Sequence, residues 1–228
     1  MDRRLFVATI ATCCVGATAG CLEETLEEVT TFSASPAVVS QQSTAETGYE
    51  YQGTREVVRE HDVARGLVET RNYASTYRRT VEVPLDIFDE DETEAGVFGV
   101  LTTPQVSIGD EQFNPIGELT PEQIVGRVQS QYEELEIDSE PTARRSVEML
   151  GETITVETFE GEATFQGTDD VDVFVDISQP DRDGDHFVIT AAFPDVPILD
   201  ADAEIDRIDA MIGAIEHGDD VDAEIIDA

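Results

Sequence analysis

The sequence predicts an α+β domain, an antiparallel β-sheet with two or three helices packed on one face. Three observations carry this expectation. Several segments alternate with a period of two, as in Val171, Val173, Val175 and Ile177 set between Asp172, Phe174 and Asp176. Thr120-Pro121-Glu122-Gln123 has the residues of a capping box with proline in the first turn. Near the C-terminus, Ile205, Ile208, Ile212 and Ile215 recur at helical spacing.

Residues 1–20 stand apart from that domain. Arg3-Arg4 precede an apolar run from Leu5 to Ala19, and Ala19-Gly20-Cys21 follows. A basic start, a short apolar run and a small-residue end are the parts of an export signal. The run is interrupted by Thr9, Thr12, Gly16 and Thr18 and is shorter than the roughly 20 apolar residues of a membrane span. Arg3 and Arg4 resemble the twin-arginine export motif. Thr18-Ala19-Gly20-Cys21 resembles a lipobox and assigns lipidation to Cys21. Cys13, Cys14 and Cys21 are the only cysteines, so the mature chain would hold neither free thiol nor disulfide. Residues 21–29 read as a lipid-attached tether, 30–217 as one α+β domain and 218–228 as a frayed acidic C-terminal tail.

The domain begins its strands at Tyr49–His61 and Gly66–Val83, a hairpin or bent ribbon. Val81, Val83, Leu85 and Ile87 continue the alternation, and Asp89–Glu94 reads as a solvated loop. Val97–Leu101 and Gln105–Ile108 are further strands. The capped helix is expected over 121–135, with Ile124, Val125, Val128, Tyr132 and Leu135 on one face. Arg144–Leu150 and Glu152–Phe159 form a hairpin turning at Gly151. The alternation changes phase near Gly161, the signature of a bulge. Segments 171–177 and 187–193 are strands joined through Pro180–Asp185. The last helix is expected over 201–217 and stops at Gly218.

The charge is extreme. There are 51 acidic and 13 basic residues, a net charge of −38, and every basic residue is arginine. Removing residues 1–20 leaves 50 acidic against 11 basic, or −39. Such a surface repels itself at low salt, whereas at 1 M salt the screening length is only about 3 Å. Acid excess without lysine is expected of an extreme halophile. With 40% hydrophobic residues in periodic order, the body is not a disordered acidic chain. Nucleic acid is not expected as a partner, because phosphate binding needs clustered Arg and Lys.

No residue set points to catalysis. Asp181-Arg182-Asp183-Gly184-Asp185 resembles the start of a calcium loop, but its twelfth position is Ala192 where that loop needs Glu. A polar hairpin turn is the better reading. His61, His186 and His217 lack metal-ligand spacing, and no nucleophile or phosphate-loop motif is present. With so many acids, close carboxylate pairs arise by chance. Arg78-Arg79 and Arg144-Arg145 are expected to pair with carboxylates, and Tyr49, Tyr51, Tyr73, Tyr77, Phe113 and Tyr132 to pack in the core. The expectation is no enzyme activity, no cofactor and no metal.

Three segments carry a family resemblance: Leu101–Leu119 with the capped helix to Glu133, Thr158–Phe165, and the strand from Asn72-Tyr73 to Tyr77. On these the chain resembles an uncharacterised family of haloarchaeal lipoproteins, classed as a domain of unknown function. The resemblance implies a lipoprotein of the archaeal cell surface and supplies no activity. The closing strands and helix are also similar to the extrinsic photosystem subunit fold and related mycobacterial lipoproteins, which bind partners or lipids; this is analogy at the level of fold. The expected role is therefore a lipid-anchored extracytoplasmic accessory or binding module. It would meet the membrane through its anchor and a protein partner at the cell surface. The alternative is a small-molecule or lipid carrier with an apolar pocket. A buried apolar cavity would favour the carrier, and a flat aromatic patch would favour a protein partner.

Overall fold

A computed structural model describes residues 30–63, 66–82, 92–108, 111–112, 115–130, 135–165 and 169–226. Arg3, Arg4, Cys21, the tether and Asp89–Asp91 lie outside the described residues, whereas Glu92–Glu94, expected in a solvated loop, open a strand. In chain order the first elements are β1 (Thr30–Ser33), β2 (Ala37–Val39), α1 (Gln41–Thr47), β3 (Glu50–Val63), β4 (Gly66–Glu82) and β5 (Glu92–Thr103). Short β6 (Ser107–Ile108) and β7 (Glu111–Gln112) lead through a 3₁₀ turn at Pro115–Glu118 to α2 (Pro121–Gln129). Then come β8 (Leu135–Ile137), β9 (Ala143–Met149), β10 (Glu152–Phe165), β11 (Asp169–Ser178), β12 (Asp181–Asp183) and β13 (Asp185–Pro194). The chain closes with α3 (Ala201–Gly213), β14 (Ile215–His217) and β15 (Ile225–Ile226).

One large sheet organises the fold. Its path is β15-β3-β4-β5-β13-β11-β10-β8, with β1 beside β4, β12 beside β13 and β9 beside β10. Most pairs are antiparallel, but β1–β4 and β15–β3 are parallel, so the sheet is mixed, and it is not closed. The β9–β10 hairpin turns on Leu150 (φ 51) and Gly151 (φ 86), the two positive φ angles that a tight two-residue hairpin requires.

The helices do not share one face, contrary to the expectation. Phe187, Ile189, Ala191 and Phe193 of β13 point to one side, where Ile208, Met211 and Ile212 of α3 cover them. α1 lies against α3 on that side. Val188 of β13 and Val173, Val175 and Ile177 of β11 point to the other side, where Ile124 and Val125 of α2 cover them. Alternation along an unbroken strand sends neighbours to opposite faces, so a central strand apolar at successive positions is covered on both. The 187–189 run, Phe-Val-Ile, is such a strand.

Several readings of the sequence are corrected by the structure. α2 ends at Gln129, and Leu135 belongs to β8; Tyr132 lies outside the described residues. α3 ends at Gly213, and Ile215–His217 instead pair with β2 as a strand. Gly161 is not a bulge. The β10–β11 register runs unbroken from Val156 to Phe165, and the apparent change of phase marks the core moving from one face (Ile154, Val156) to the other (Phe159, Ala163). The C-terminal segment is not frayed over 225–226: it adds a parallel strand to β3, with Ile226 seated over Gly53 (φ 113).

Candidate functional site

Between α3 and the sheet lies a buried ionic cluster. Glu204 is 0% exposed. Its Oε1 accepts from the Tyr49 hydroxyl (2.8 Å) and Arg79 Nε (3.1 Å). Its Oε2 accepts from Arg79 Nη2 and from Arg207 Nη1 (3.1 Å). Burial, and then the Glu204 charge, push the Tyr49 hydroxyl well above the usual phenol range. Tyr49 therefore stays protonated and donates. Both carboxylate oxygens are taken up by these partners, so the cluster fastens α3 to β4. The Tyr77 hydroxyl serves likewise, accepting from Val39 N (2.7 Å) to hold β2 on the sheet.

Adjacent arginines on a strand point to opposite faces. Arg145 turns toward α3, reaching Asp176 (2.6 Å) and Asp209 (2.8 Å), while Arg144 pairs with Glu157 on the α2 face. Arg78 meets Glu94 (3.6 Å), and Arg79 meets Glu204. The expected pairing of both arginine doublets with carboxylates is what the fold contains. Glu157 Oε2 is buried without a hydrogen-bond partner among the described residues.

The Asp181–Asp185 segment is a hairpin turn between β12 and β13, with Gly184 at φ 74. The structure brings His217 of β14 onto it. Nε2 lies 3.2 Å from Asp185 and Nδ1 3.4 Å from Asp183, and the ring stands edge-on to Phe187 at 4.7 Å. Asp185 also accepts from Ser35 N (2.7 Å). With both ring edges on carboxylates, the imidazole is a clasp closing β2–β14 onto the turn. The hydrogen bond to Asp185 leads in raising its pKa, Asp183 adds to this, and partial burial opposes it. Among the described residues no group of three or more His, Cys, Asp or Glu is placed to hold a metal ion.

Two depressions open on the sheet. One, of about 660 Å³, lies at the β8–β10–β11 edge and is lined by Glu136, Asp138, Glu160, Glu162, Asp172 and Asp195. Six carboxylates make it repel anions. The other, of about 410 Å³, lies on the α2 face. Val97, Val128, Leu135, Ala163, Val175 and Ala192 give it a mainly apolar wall, with Arg78, Glu94 and Thr76 at one side.

Of the residues singled out in the sequence, Tyr49 and Tyr77 are core residues, and Tyr51 packs against Tyr77 at 5.1 Å. Phe113 and Tyr132 lie outside the described residues. His186 is on β13, remote in sequence from the clasp residue His217, and His61 is on β3. Sequence reading missed the Glu204 cluster. Its signal was a carboxylate four residues before Ile208 on the apolar stripe of α3. Nothing in the sequence joined His217 to Asp183 and Asp185. The apolar groove was equally hidden, because it gathers side chains from α2, β5, β8, β10, β11 and β13.

The open, mixed sheet with helices on both faces defines a domain that is mostly β-sheet, with three α-helices among the described residues. The family described as Domain of unknown function (DUF6517) matches residues 36–216, and the chain belongs to it. No curated protein matches the chain.

Proposed function

We propose that this chain is a lipid-anchored binding module on the outer side of the membrane of a salt-adapted, haloarchaeal cell, and not an enzyme. Cys21 would carry the lipid, and Arg3-Arg4 would direct export. The observation that supports binding is the groove of about 410 Å³ on the α2 face, whose wall is mainly apolar. Exposed apolar concavities of this kind are where soluble proteins take partners or ligands. The arginine pairs stand with this reading, since their charges are spent on holding elements together.

The test compares wild type with Val128→Asp and Val97→Arg, captured from solubilised membranes in high salt and followed by mass spectrometry. A protein recovered with wild type and lost with both variants, each still folded by circular dichroism, is the expected result. Identical recovery with all three overturns the groove as the binding surface. The carrier alternative is favoured by the same groove. It predicts a small apolar molecule that stays with the purified wild type in native mass spectrometry and is absent from the variants.

A further inference from the structure

The β3–β4 ribbon runs past the end of β5. β5 pairs with β4 from Tyr73 to Glu82, leaving Gly66–Asn72 to β3 and β1 alone. At about 3.3 Å per residue that projection is about 23 Å long. The N-terminal chain enters the sheet on this projection, because Thr30–Ser33 of β1 pair with Val68–Arg71. Thr70 is the shared partner of Phe32 and Arg59, which places the backbone of Arg59 two strands, or about 10 Å, from that of Phe32. Residues 21–29 extend over at most about 30 Å. A lipid on Cys21 would thus hold the ribbon end near the bilayer.

The charge distribution singles out the same place. Residues 54–71 hold four arginines and four acidic residues, whereas the rest of 21–228 holds seven arginines against 46 acidic residues. In such an acid-rich chain an arginine readily finds a carboxylate, and Arg71, Arg78, Arg79, Arg144, Arg145 and Arg207 all do. Arg127 on α2 is exposed with no ion pair among the described residues, and so are Arg55 and Arg59. Arg55 and Arg59 sit four apart on β3, so both point to one face, about 13 Å from each other, with Val57 between them. Two unpaired guanidinium groups, Arg59 on this projection and Arg55 just inside its base opposite Ala74, lie beside the terminus that a lipid would anchor and fit the phosphates of an anionic lipid surface.

We propose that the ribbon face bearing Arg55 and Arg59 rests on the phosphate layer of the membrane, with the acidic body directed away from it. This placement rests on the lipid-anchor reading above. It assigns the two arginines to lipid phosphate and leaves the groove on the α2 face free for its own partner.

The experiment separates orientation from anchoring. The full chain with Cys13→Ser and Cys14→Ser is coupled through the Cys21 thiol to a maleimide lipid, in vesicles of phosphatidylcholine with or without phosphatidylglycerol. Salt is held where circular dichroism shows the fold intact. Hydrogen exchange of residues 54–63 is compared between coupled and free protein. Exchange is expected to slow several-fold on the phosphatidylglycerol vesicles and less on phosphatidylcholine alone. It should return to the free rate in Arg55→Gln/Arg59→Gln, which stays coupled. Equal rates in coupled and free protein overturn the proposal, as does undiminished protection in the double variant or protection that falls on 121–130 instead. Because the coupling is chemical, these results do not depend on whether cells lipidate Cys21. That reading fails separately, if the protein isolated from cells carries no lipid there.

Discussion

Arg79 and Glu204 stand 125 positions apart in the chain and form a two-point ion pair in the space between β4 and α3. Tyr49 and Arg207 complete the partners of the carboxylate. Such a pair is kept by its geometry, since neither charge is stable there alone.

Removing the carboxylate should therefore be severe. Glu204→Ala leaves the nearly buried Arg79 without its partner and is expected to cost about 3–5 kcal/mol. Tyr49→Phe removes one hydrogen bond of several and should cost about 1 kcal/mol. Urea unfolding at constant high salt measures both. Equal, small losses would show that the cluster adds nothing to stability.

The His217 clasp predicts a pH dependence. Its pKa in the fold lies above the ordinary 6.5, so the folded state favours the protonated ring. That contribution is fully present below 6.5, the unfolded value, and is lost as pH rises through the higher folded value. The thermal midpoint of wild type should thus fall more than that of His217→Gln across neutral and mildly alkaline pH. Parallel curves would remove the clasp from the stability of the fold.

Glycine positions give a contrast in sign. A Cβ at Gly161 would stand 2.5 Å from the Glu136 carbonyl oxygen, a backbone atom that cannot swing aside. Gly161→Ala should push β8 off β10, cost about 1–3 kcal/mol and speed exchange of the amides at 135–137. Gly126, on the exposed side of α2, has nothing within 4 Å of such a Cβ. Gly126→Ala should stabilise by about 0.5–1 kcal/mol, measured in the same urea series.

The N-terminal segment predicts behaviour in the cell. Cys21→Ser should release the protein from membranes or leave the precursor unprocessed. Replacing Arg3 and Arg4 together by Lys should leave precursor inside. Membrane fractionation reads both. A processed Cys21→Ser protein that still sediments with membranes rejects the lipobox, and normal export of the lysine variant points to the general secretion route.

Salt should decide compactness. The net charge of −38 is screened over about 3 Å at 1 M salt and only over about 30 Å at 0.01 M, while native stability is about 5–15 kcal/mol. Tertiary structure should be lost on dialysis into low salt and regained when salt returns. Mild acid should give partial rescue by neutralising carboxylates. A salt titration followed by circular dichroism, with an unchanged cooperative fold at low salt and neutral pH, would assign the charge to solubility alone.

Local chemistry carried much of this fold in the sequence. Thr120 and Gln123 exchange the two hydrogen bonds of a capping box, and the β9–β10 turn falls on Gly151, because caps and tight turns depend only on neighbouring residues. The alternation of 171–177 and 187–193 likewise identified strands from their own residues. What lay beyond the sequence was decided between distant segments. Ile215 extends an apolar stripe as readily in a helix as in a strand, and only its pairing with Val39 makes it β14. Ile225 and Ile226 became a strand because Thr54 and Arg55 offered an edge, not because their neighbours demanded it. The placement of helices on both faces, the partnership of Glu204 with Tyr49, Arg79 and Arg207, the clasp of His217 on Asp183 and Asp185, and the apolar groove all depend on which side chains meet across the sheet. Periodicity tells a residue which side of its own strand it faces, and only tertiary packing determines what covers that side.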